Sequence, residues 1–438
     1  MIKKIKNLIA LDNPIRLFYH FLKAMTASIM YGFPSKNMTV IGVTGTNGKT
    51  TTTNIIAKSL QKAGKKVFMF STVNYIIGDK EYRNDTKMTS PDPFLLQKLL
   101  KQAKQEGCEI AIIETSSHAI TMHRIWGINY DMAVLTNISQ DHLDLHKTMT
   151  NYVNTKRRLF KSLIAFDRKP GIKKTAIINV DSDYADLFMD ETYDNLFAYG
   201  FGTESKLRAT DIKHNIDYTT FNVRIPGNTL NIKTKFRGNF NVYNILAAIG
   251  VLLSFSIKPE KIEQAISEIT AVPGRMEEVE NSHGLNIFVD YAHTPDALTQ
   301  VLDTLREFEG RGKIYTVFGA TGDRDRTKRP AMGQIVSEKS DVVILTEDDN
   351  YSESVSQIIK DILPGINRKE GDTFWIIPDR ENAVRYALLT AEKGDIVLVA
   401  GKGDEHAIIT NDGPKKWHDK TVIEQIFKDI EDNSIIDK

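Results

Sequence analysis

The run Gly45-Thr46-Asn47-Gly48-Lys49-Thr50 lies between a short apolar stretch at 39–43 and a helix-forming stretch at 51–63 that stops at Gly64. A strand that feeds a glycine-containing turn and then a helix commits this part of the chain to α/β architecture. Backbone N–H groups in such a loop converge on a phosphate at the helix N-terminus. Lys49 supplies a point charge for β- and γ-phosphates, and Thr50 offers a hydroxyl to Mg2+. The general nucleotide-loop pattern asks for one more glycine five residues before Gly48, and that position is Val43.

The surrounding pattern extends the same architecture. Apolar runs at 67–71, 110–113, 132–135 and 176–179 alternate with helical stretches, which predicts a mostly parallel sheet with helices on both faces. Residues 209–236 alternate in short runs around Pro226-Gly227 and predict antiparallel strands at one edge; 240–253 and 259–269 return to helix. Pro273-Gly274 marks a boundary. Beyond it, apolar runs at 287–289, 314–318, 342–345, 374–377 and 396–399 predict a second, smaller doubly wound α/β domain closed by a helix at 423–430. The expected domains are a short helical segment at 1–38, a central ligand-binding domain at 39–272 and a C-terminal domain at 273–438.

The first segment reads as one helix. Asp12-Asn13-Pro14 starts it, Leu17, Phe18, Phe21, Leu22, Met25 and Ile29 give its apolar face, and Gly32 and Pro34 end it. That face predicts packing on the next domain. Lys3, Lys4, Lys6, Arg16 and Lys23 beside it also suit a helix at a membrane surface.

Composition narrows the partners. The 438 residues suffice for several domains, each with its own core. Lys+Arg total 57 against Asp+Glu 56, a formal net charge of +1, which argues against a nucleic-acid-binding coat. Cys108 is the only cysteine, so neither an internal disulfide nor a thiolate zinc site is available. No apolar run reaches the ~18–20 residues needed to span a bilayer, and 1–11 lacks the apolar core of a signal peptide. The expected location is the cytoplasm.

Polar residues gather where predicted strands end, the place where open α/β sheets bind ligands. Glu114 ends one strand and is either a Mg2+ ligand or a structural carboxylate. The next strand runs into Thr136-Asn-Ile-Ser-Gln-Asp-His-Leu-Asp144, which contains His142. Two such endings beside a phosphate loop favour a metal site. In the C-terminal domain, 290–296, 319–329 and 401–405 follow strands in the same way, and the middle one, dense in charge, reads as an anion-binding rim.

Together these residues resemble the Mur ligases of peptidoglycan synthesis, most closely the branch that adds the third residue to the muramyl peptide. The strings are Gly42-Val-Thr-Gly-Thr-Asn-Gly-Lys-Thr-Thr-Thr52, Glu114-Thr-Ser-Ser-His-Ala119, Thr136 to His146, Asn151-Tyr-Val-Asn-Thr-Lys156, Gly238-Asn-Phe-Asn-Val-Tyr-Asn244 and Pro273-Gly-Arg-Met-Glu277. Asp290 to Asp296, Gly322 to Pro330 and Gly401 to Glu405 complete them. The family's own phosphate loop lacks the extra glycine, which accounts for Val43.

The resemblance implies an ATP-dependent ligase. ATP phosphorylates a substrate carboxylate, and the amine of an amino acid displaces phosphate from the acyl phosphate. It implies that Gly45, Thr46, Asn47, Gly48, Lys49, Thr50 and Thr51 bind ATP with Asn241, Arg275, Asp290 and His293. Thr50 would hold a first Mg2+, and Glu114, His142 and a carbamylated Lys156 a second. Lys49, Glu114, His142 and Lys156 are the catalytic set; read without the family, Lys156 is a helix-surface residue. Thr89, Ser90, Ser116 and Arg124 match positions around a UDP-muramyl peptide, and Arg324, Asn350, Gly401 and Glu405 are assigned to substrate. A monomer is expected.

Two departures from the family follow. A full first domain that grips UDP precedes the loop in the family; here 1–38 precedes it, so the acceptor is expected to be held by the central domain, by a partner chain or through another anchor. Members that add diaminopimelate carry Asp-Asn-Pro-Arg after a C-terminal-domain strand, and here Asp349-Asn350 leads into Tyr351-Ser352. With Glu347, Asp348, Asp349 and Glu353 close by, L-lysine or a similar diamine is the expected amino acid. Competing expectations are a folylpolyglutamate- or cyanophycin-type ligase and a non-catalytic nucleotide-binding partner.

Overall fold

The computed structural model describes residues 13–86 and 88–436. It divides into two compact units. The first runs to Lys213 and includes Thr220–Thr234 and Phe240–Ile269; the second comprises His214–Thr219, Lys235–Asn239 and the chain from Thr270 on.

Helix α1 (Pro14–Tyr31) starts where the Asn13 side chain accepts from the Ile15 N–H and ends at Gly32 in a left-handed conformation, as the sequence predicts. Its inner face packs on the first unit: the Phe21 ring meets Trp126 edge-on at 5.4 Å, and the Ser28 hydroxyl donates to the Trp126 carbonyl at 3.0 Å. Ile15, Phe18, Ile29 and Met30 on the other side are exposed. Lys3, Lys4 and Lys6, invoked for a membrane-surface helix, lie outside the described residues. No described helix is long and apolar enough to cross a membrane.

The sheet of the first unit has eleven strands in the order β11-β10-β9-β8-β7-β6-β1-β5-β2-β3-β4. They are β1 (Thr39–Thr44), β2 (Val67–Phe70), β3 (Asn74–Ile77), β4 (Lys80–Arg83), β5 (Ile110–Glu114), β6 (Met132–Leu135), β7 (Thr175–Asn179), β8 (Asn195–Gly200), β9 (Leu207–His214), β10 (Thr219–Ile225) and β11 (Asn228–Thr234). The strands from β2 through β5, β1, β6, β7 and β8 to β9 pair in parallel. Their near-continuous apolar sequences, buried throughout β1, β5, β6 and β7 except at Thr39, are those of strands covered on both faces. Strand β1 lies between β5 and β6: the chain leaves β1 for β2 on the β5 side and later crosses from β5 to β6 on the other side. That reversal is where open sheets bind ligands. Helices α2 (Lys49–Lys62), α3 (Pro93–Gln105), α4 (Ser117–Thr121), α5 (Met149–Ala165), α6 (Asn239–Ser254) and α7 (Pro259–Ser267) are among those that flank the sheet strands in sequence.

Three details differ from expectation. Helix α2 begins at Lys49 rather than at residue 51. The edge segment 209–236 is not wholly antiparallel, because β9 joins β8 in parallel. The opposite edge is an unanticipated hairpin, β3–β4, turning at Gly78; β4 is exposed and charged, with no apolar alternation to show it.

The second unit has a six-stranded sheet in the order β12-β13-β17-β14-β15-β16: β12 (Glu277–Val279), β13 (Asn286–Asp290), β14 (Ile314–Phe318), β15 (Val342–Leu345), β16 (Phe374–Ile376) and β17 (Ile396–Ala400). All pairings are parallel except that of the short edge strand β12. A separate two-stranded sheet joins β18 (Ala407–Thr410) to β19 (Gly413–Lys416). The helices are α8 (Pro295–Arg306), α9 (Lys328–Lys339), α10 (Val355–Ile362), α11 (Arg380–Thr390) and α12 (Asp419–Ile436). Ile287, Val289, Val317, Ile344, Val397 and Val399 form its core with Val384, Ala387, Ile423 and Ile426. Inside lies an ion pair: Arg380, fully buried, donates to both carboxylate oxygens of Asp419 at 2.9 and 3.0 Å and to the Ala400 carbonyl at 2.9 Å.

Candidate active site

Strand β1 delivers the loop Gly45–Gly48 at the carboxyl edge of the sheet, and α2 starts at Lys49. Two glycines are required there by close approach. A Cβ on Gly45 would fall 1.9 Å from Thr136 Oγ1, and one on Gly48, whose φ is 78°, would fall 2.3 Å from Asn244 Oδ1. The neighbouring chain shapes the loop. The Thr46 N–H donates to the Asn137 carbonyl and the Asn47 N–H to Asn137 Oδ1, each at 2.9 Å. Thr136 Oγ1 donates to the Asn47 carbonyl at 2.6 Å, and the Tyr152 hydroxyl meets Thr46 Oγ1 at 3.1 Å. Lys49 folds back, its Nζ donating to the carbonyls of Gly45 at 3.1 Å and Thr46 at 2.6 Å. Thr51 is buried in the same turn. Asn241, also buried, reaches this group through Asn244, which donates to it at 3.0 Å while accepting from Thr52 Oγ1 at 3.0 Å.

Glu114 ends β5 one strand away and is 1% exposed. The Thr50 hydroxyl donates to its two oxygens at 3.0 and 3.1 Å. Thr72 donates to Glu114 Oε2 from its N–H at 2.7 Å and its hydroxyl at 3.0 Å. A buried hydroxyl and carboxylate side by side at a phosphate loop are hard oxygen donors, and they fit Mg2+. The expected acceptor residues adjoin the same carboxylate. The Thr72 and Thr89 hydroxyl oxygens lie 3.1 Å apart, Ser90 Oγ donates to the Glu114 carbonyl at 3.0 Å, and Arg124 Nη1 donates to the Ser90 carbonyl at 3.1 Å. Ser116 Oγ accepts from the Ala119 N–H and caps α4.

His142 has φ 52°, a left-handed conformation that costs a residue with a Cβ about 1–3 kcal/mol and that clusters at functional sites. Its Nε2 lies 3.3 Å from Asp141 Oδ2 and its ring 4.6 Å from that of His118. Lys156 corrects the reading of a surface residue: it is 1% exposed, its Nζ donates to the Gly45 carbonyl at 2.7 Å, and it stands 4.5 Å over the Tyr152 ring. Burial first, and the charge of Lys49 second, push its pKa well below that of a free lysine, against the pull of Asp141.

The other expected residues cluster at strand ends of the second unit. Asp290 ends β13 and accepts from the N–H groups of Met276 and Ala292, both at 2.7 Å; burial nonetheless raises its pKa. The Gly401 N–H donates to the Asp290 carbonyl at 3.0 Å. Arg275 lies 4.6 Å over the Tyr291 ring. His293 Nδ1 is 2.7 Å from the Tyr291 carbonyl, and burial, reinforced by Lys328, lowers its pKa to about 4. Lys402 is fully buried and pairs with Glu405, with Asp349 at 2.6 Å and with Asp348 at 3.8 Å. Burial raises the Glu405 pKa, with Lys402 opposing. Asn350 Nδ2 donates to the Glu353 carbonyl at 2.8 Å, and Arg324 lies 5.4 Å over the Tyr351 ring.

The acidic surplus expected around Asn350 is already matched. Besides the Lys402 pairs, Lys415 is 4.0 Å from Glu347, and Arg329 grips both Glu353 oxygens at 2.9 and 3.0 Å. Ser352 Oγ donates to Asp323 at 2.7 Å. Sequence reasoning also passed over Thr72, just beyond β2, and Asn244, one turn after Asn241. Each carried a signal: a polar residue at the carboxyl end of a parallel strand, and an i, i+3 pair of asparagines.

A parallel sheet whose central strand feeds a phosphate loop, with a buried carboxylate at the end of the next strand, defines a nucleoside-triphosphate-dependent enzyme of the phosphate-loop class. The Mur ligase middle domain matches residues 43–252, and the glutamate ligase domain of Mur ligases matches residues 274–403. A UDP-N-acetylmuramoyl-L-alanyl-D-glutamate–2,6-diaminopimelate ligase of Geobacillus thermodenitrificans is 41% identical over 408 residues, 93% of this chain and 82% of that protein. One of the same name from Clostridium botulinum is 37% identical over 409 residues, 93% and 81% of the two chains. A solved structure of a ligase with this name superposes with a TM-score of 0.64 at 31% identity, covering 90% of this chain and 79% of the other. The chain belongs to the Mur ligase family, a family of ATP-dependent ligases, as its motifs led one to expect.

Proposed function

We propose that this chain uses ATP to join a diamino acid, as the third residue, to a UDP-muramyl dipeptide-type acceptor. The observation that carries the reading is the convergence of Lys49, Thr50, Glu114 and Lys156 on one phosphate loop, in a chain whose relatives bear names of that activity. The central region, 39–272, takes ATP and the acceptor; 273–438 takes the amino acid. The protein acts in the cytoplasm as a monomer.

In this reading the loop N–H groups and Lys49 hold the phosphates. Thr50, Glu114, His142 and Lys156 as its carbamate are the candidate Mg2+ ligands, and the metal supplies charge neutralisation as the γ-phosphoryl group moves. Thr89, Ser90, Ser116 and Arg124 orient the acceptor, and Asn241, Arg275, Asp290 and His293 are the further nucleotide contacts. The acceptor carboxylate oxygen takes the phosphoryl group and ADP leaves. The amine nitrogen then attacks the acyl carbon, phosphate departs with the C–O electrons, and the amide nitrogen loses its proton. Positioning supplies most of the acceleration.

For the amino acid, Ser352 is the supporting residue for L-lysine: it is neutral, and Asp323 engages it, where diaminopimelate-adding members carry arginine. The carboxylates around it lend no further support, since each has a cationic partner. The relatives' names and the nearby Arg324 favour diaminopimelate. Glu405 suits the amine of either.

The test is product identification by mass spectrometry with UDP-linked and UDP-free muramyl dipeptides, a folate acceptor and each amino acid. Amide product from a muramyl acceptor supports the proposal; turnover with the folate acceptor alone rejects it.

A further inference from the structure

The small β18–β19 sheet creates a cluster that none of the roles above uses. Asp404 lies in the loop after β17, His406 immediately precedes β18, and His418 lies between β19 and α12. The antiparallel register Ala407↔Lys416 closes the base of this hairpin, and the Trp417 N–H donates to the His406 carbonyl at 3.1 Å. The two imidazoles are thereby held face to face, 4.1 Å apart and 7° from parallel. Both present Nε2 to one carboxylate oxygen: Asp404 Oδ1 is 3.6 Å from His406 Nε2 and 3.3 Å from His418 Nε2. One donor atom from each of the three residues falls within 4.8 Å of the other two.

We propose that Asp404, His406 and His418 bind a first-row transition-metal ion of the zinc type. Tetrahedral ligands at ~2.0–2.1 Å from Zn2+ stand about 3.3 Å from one another; the donors already lie near that spacing, and the two imidazoles must turn out of their parallel stack for their in-plane lone pairs to meet on one ion. Two imidazoles with one carboxylate suit Zn2+ and its neighbours, whereas Mg2+ and Ca2+ take oxygen ligands. His418 is also oriented as such ligands are. Its Nδ1 lies 2.8 Å from Thr421 Oγ1, and a proton held there leaves the Nε2 lone pair facing Asp404. The three side chains are 32%, 15% and 17% exposed in the order His406, Asp404, His418, which gives an ion a way in without dissolving the site in water.

A bound ion would clamp the base of the hairpin. The hairpin in turn contacts the loop after β15: the Ile409 N–H donates to Asp349 at 2.8 Å, and the Ile409 carbonyl accepts from the Tyr351 N–H at 3.1 Å. Metal occupancy therefore stiffens the segment on which amino-acid choice was placed, through residues outside the Mg2+ set.

The experiment uses the full chain, stripped with a chelator and titrated with Zn2+ in saturating Mg2+. Bound zinc is counted by elemental analysis, and Co2+ is then substituted as a spectroscopic probe. The wild type should hold one equivalent more than His406→Gln/His418→Gln, with visible Co2+ absorption that the double variant lacks. Thr421→Val, which leaves all three ligands in place, should weaken Zn2+ binding by roughly 10–100-fold. Equal zinc stoichiometry in the wild type and a double variant with the same circular dichroism would overturn the site. So would Co2+ absorption that survives both substitutions.

Discussion

The side-chain amine of Lys156 donates to the carbonyl oxygen of Gly45 at 2.7 Å, joining residues 111 apart in sequence. A lysine buried there, next to the charge of Lys49, is biased toward its neutral form. A neutral amine is the species that adds CO2, and the resulting carbamate would restore to the loop an anion able to face Mg2+.

Activity should therefore depend on dissolved CO2. Stripping CO2 from the buffer should lower turnover several-fold and bicarbonate should restore it. Because the folded pKa is depressed, the restoration should persist at a lower pH than a free lysine would permit. Lys156→Ala should be inactive and partly rescued by acetate. Full activity of rigorously CO2-free enzyme would refute the carbamate.

Lys49→Ala removes the loop's own cation. Loss of a charge that acts as the γ-phosphoryl group moves costs about 10²–10³-fold in kcat or more. Phosphate release measured with acceptor and amino acid should fall by at least that factor, while the thermal midpoint stays within a few degrees, because the Lys49 amine is half-buried in a loop whose carbonyls can turn to water when it is removed.

Glu114→Gln keeps the shape of the side chain but removes its charge. The contacts from Thr50 and Thr72 should survive in part, so folding should hold. The Mg2+ concentration for half-maximal activity should rise at least tenfold, and excess Mg2+ should recover some rate. An unaltered Mg2+ profile would remove Glu114 from the metal site.

His293 titrates near 4 when folded and near 6.5 when unfolded. Between those values the unfolded chain binds the extra proton, so stability rises with pH through the window and is lost on acidification from about 6.5 to 4. His293→Gln should flatten that slope. Thermal midpoints at pH 5 and 7 should then differ by about 2–4 °C less than in the wild type.

Ser352→Arg should shift selectivity toward diaminopimelate. A guanidinium suits a distal carboxylate, and a charged partner at such a contact is worth about 2–5 kcal/mol. L-lysine and diaminopimelate competing in one assay supply the readout. A clear wild-type preference for diaminopimelate would reject the lysine reading.

Much of this arrangement was legible in the chain. The strand–loop–helix at 39–63 and the polar strand endings at Glu114, Thr136 and Asp290 state their own positions, because ligands collect at the carboxyl ends of parallel strands. Lys156 was misplaced when read alone, although its neighbours held the answer. Tyr152, Val153, Leu159, Phe160 and Leu163 are all buried, and position 156 falls on their helical stripe. The acidic group at 347–353 misled for a different reason. Its partners Lys402, Lys415, Arg326 and Arg329 come from other segments, and a one-dimensional pattern shows charges without their pairings. The β3–β4 hairpin offered only a short turn at Gly78 and four exposed residues.

The pair Arg380–Asp419 bears on how the protein is made. Asp419 leaves the ribosome after every strand of the six-stranded sheet, so a nascent chain that already carries that sheet still lacks the carboxylate that takes two hydrogen bonds from the buried Arg380 guanidinium. The first unit suffers no such delay and can settle during synthesis, as N-terminal units do. The second must wait for α12. A chain halted just before Asp419 would leave Arg380 without its two-pronged partner and the core without Ile423, Ile426 and Phe427.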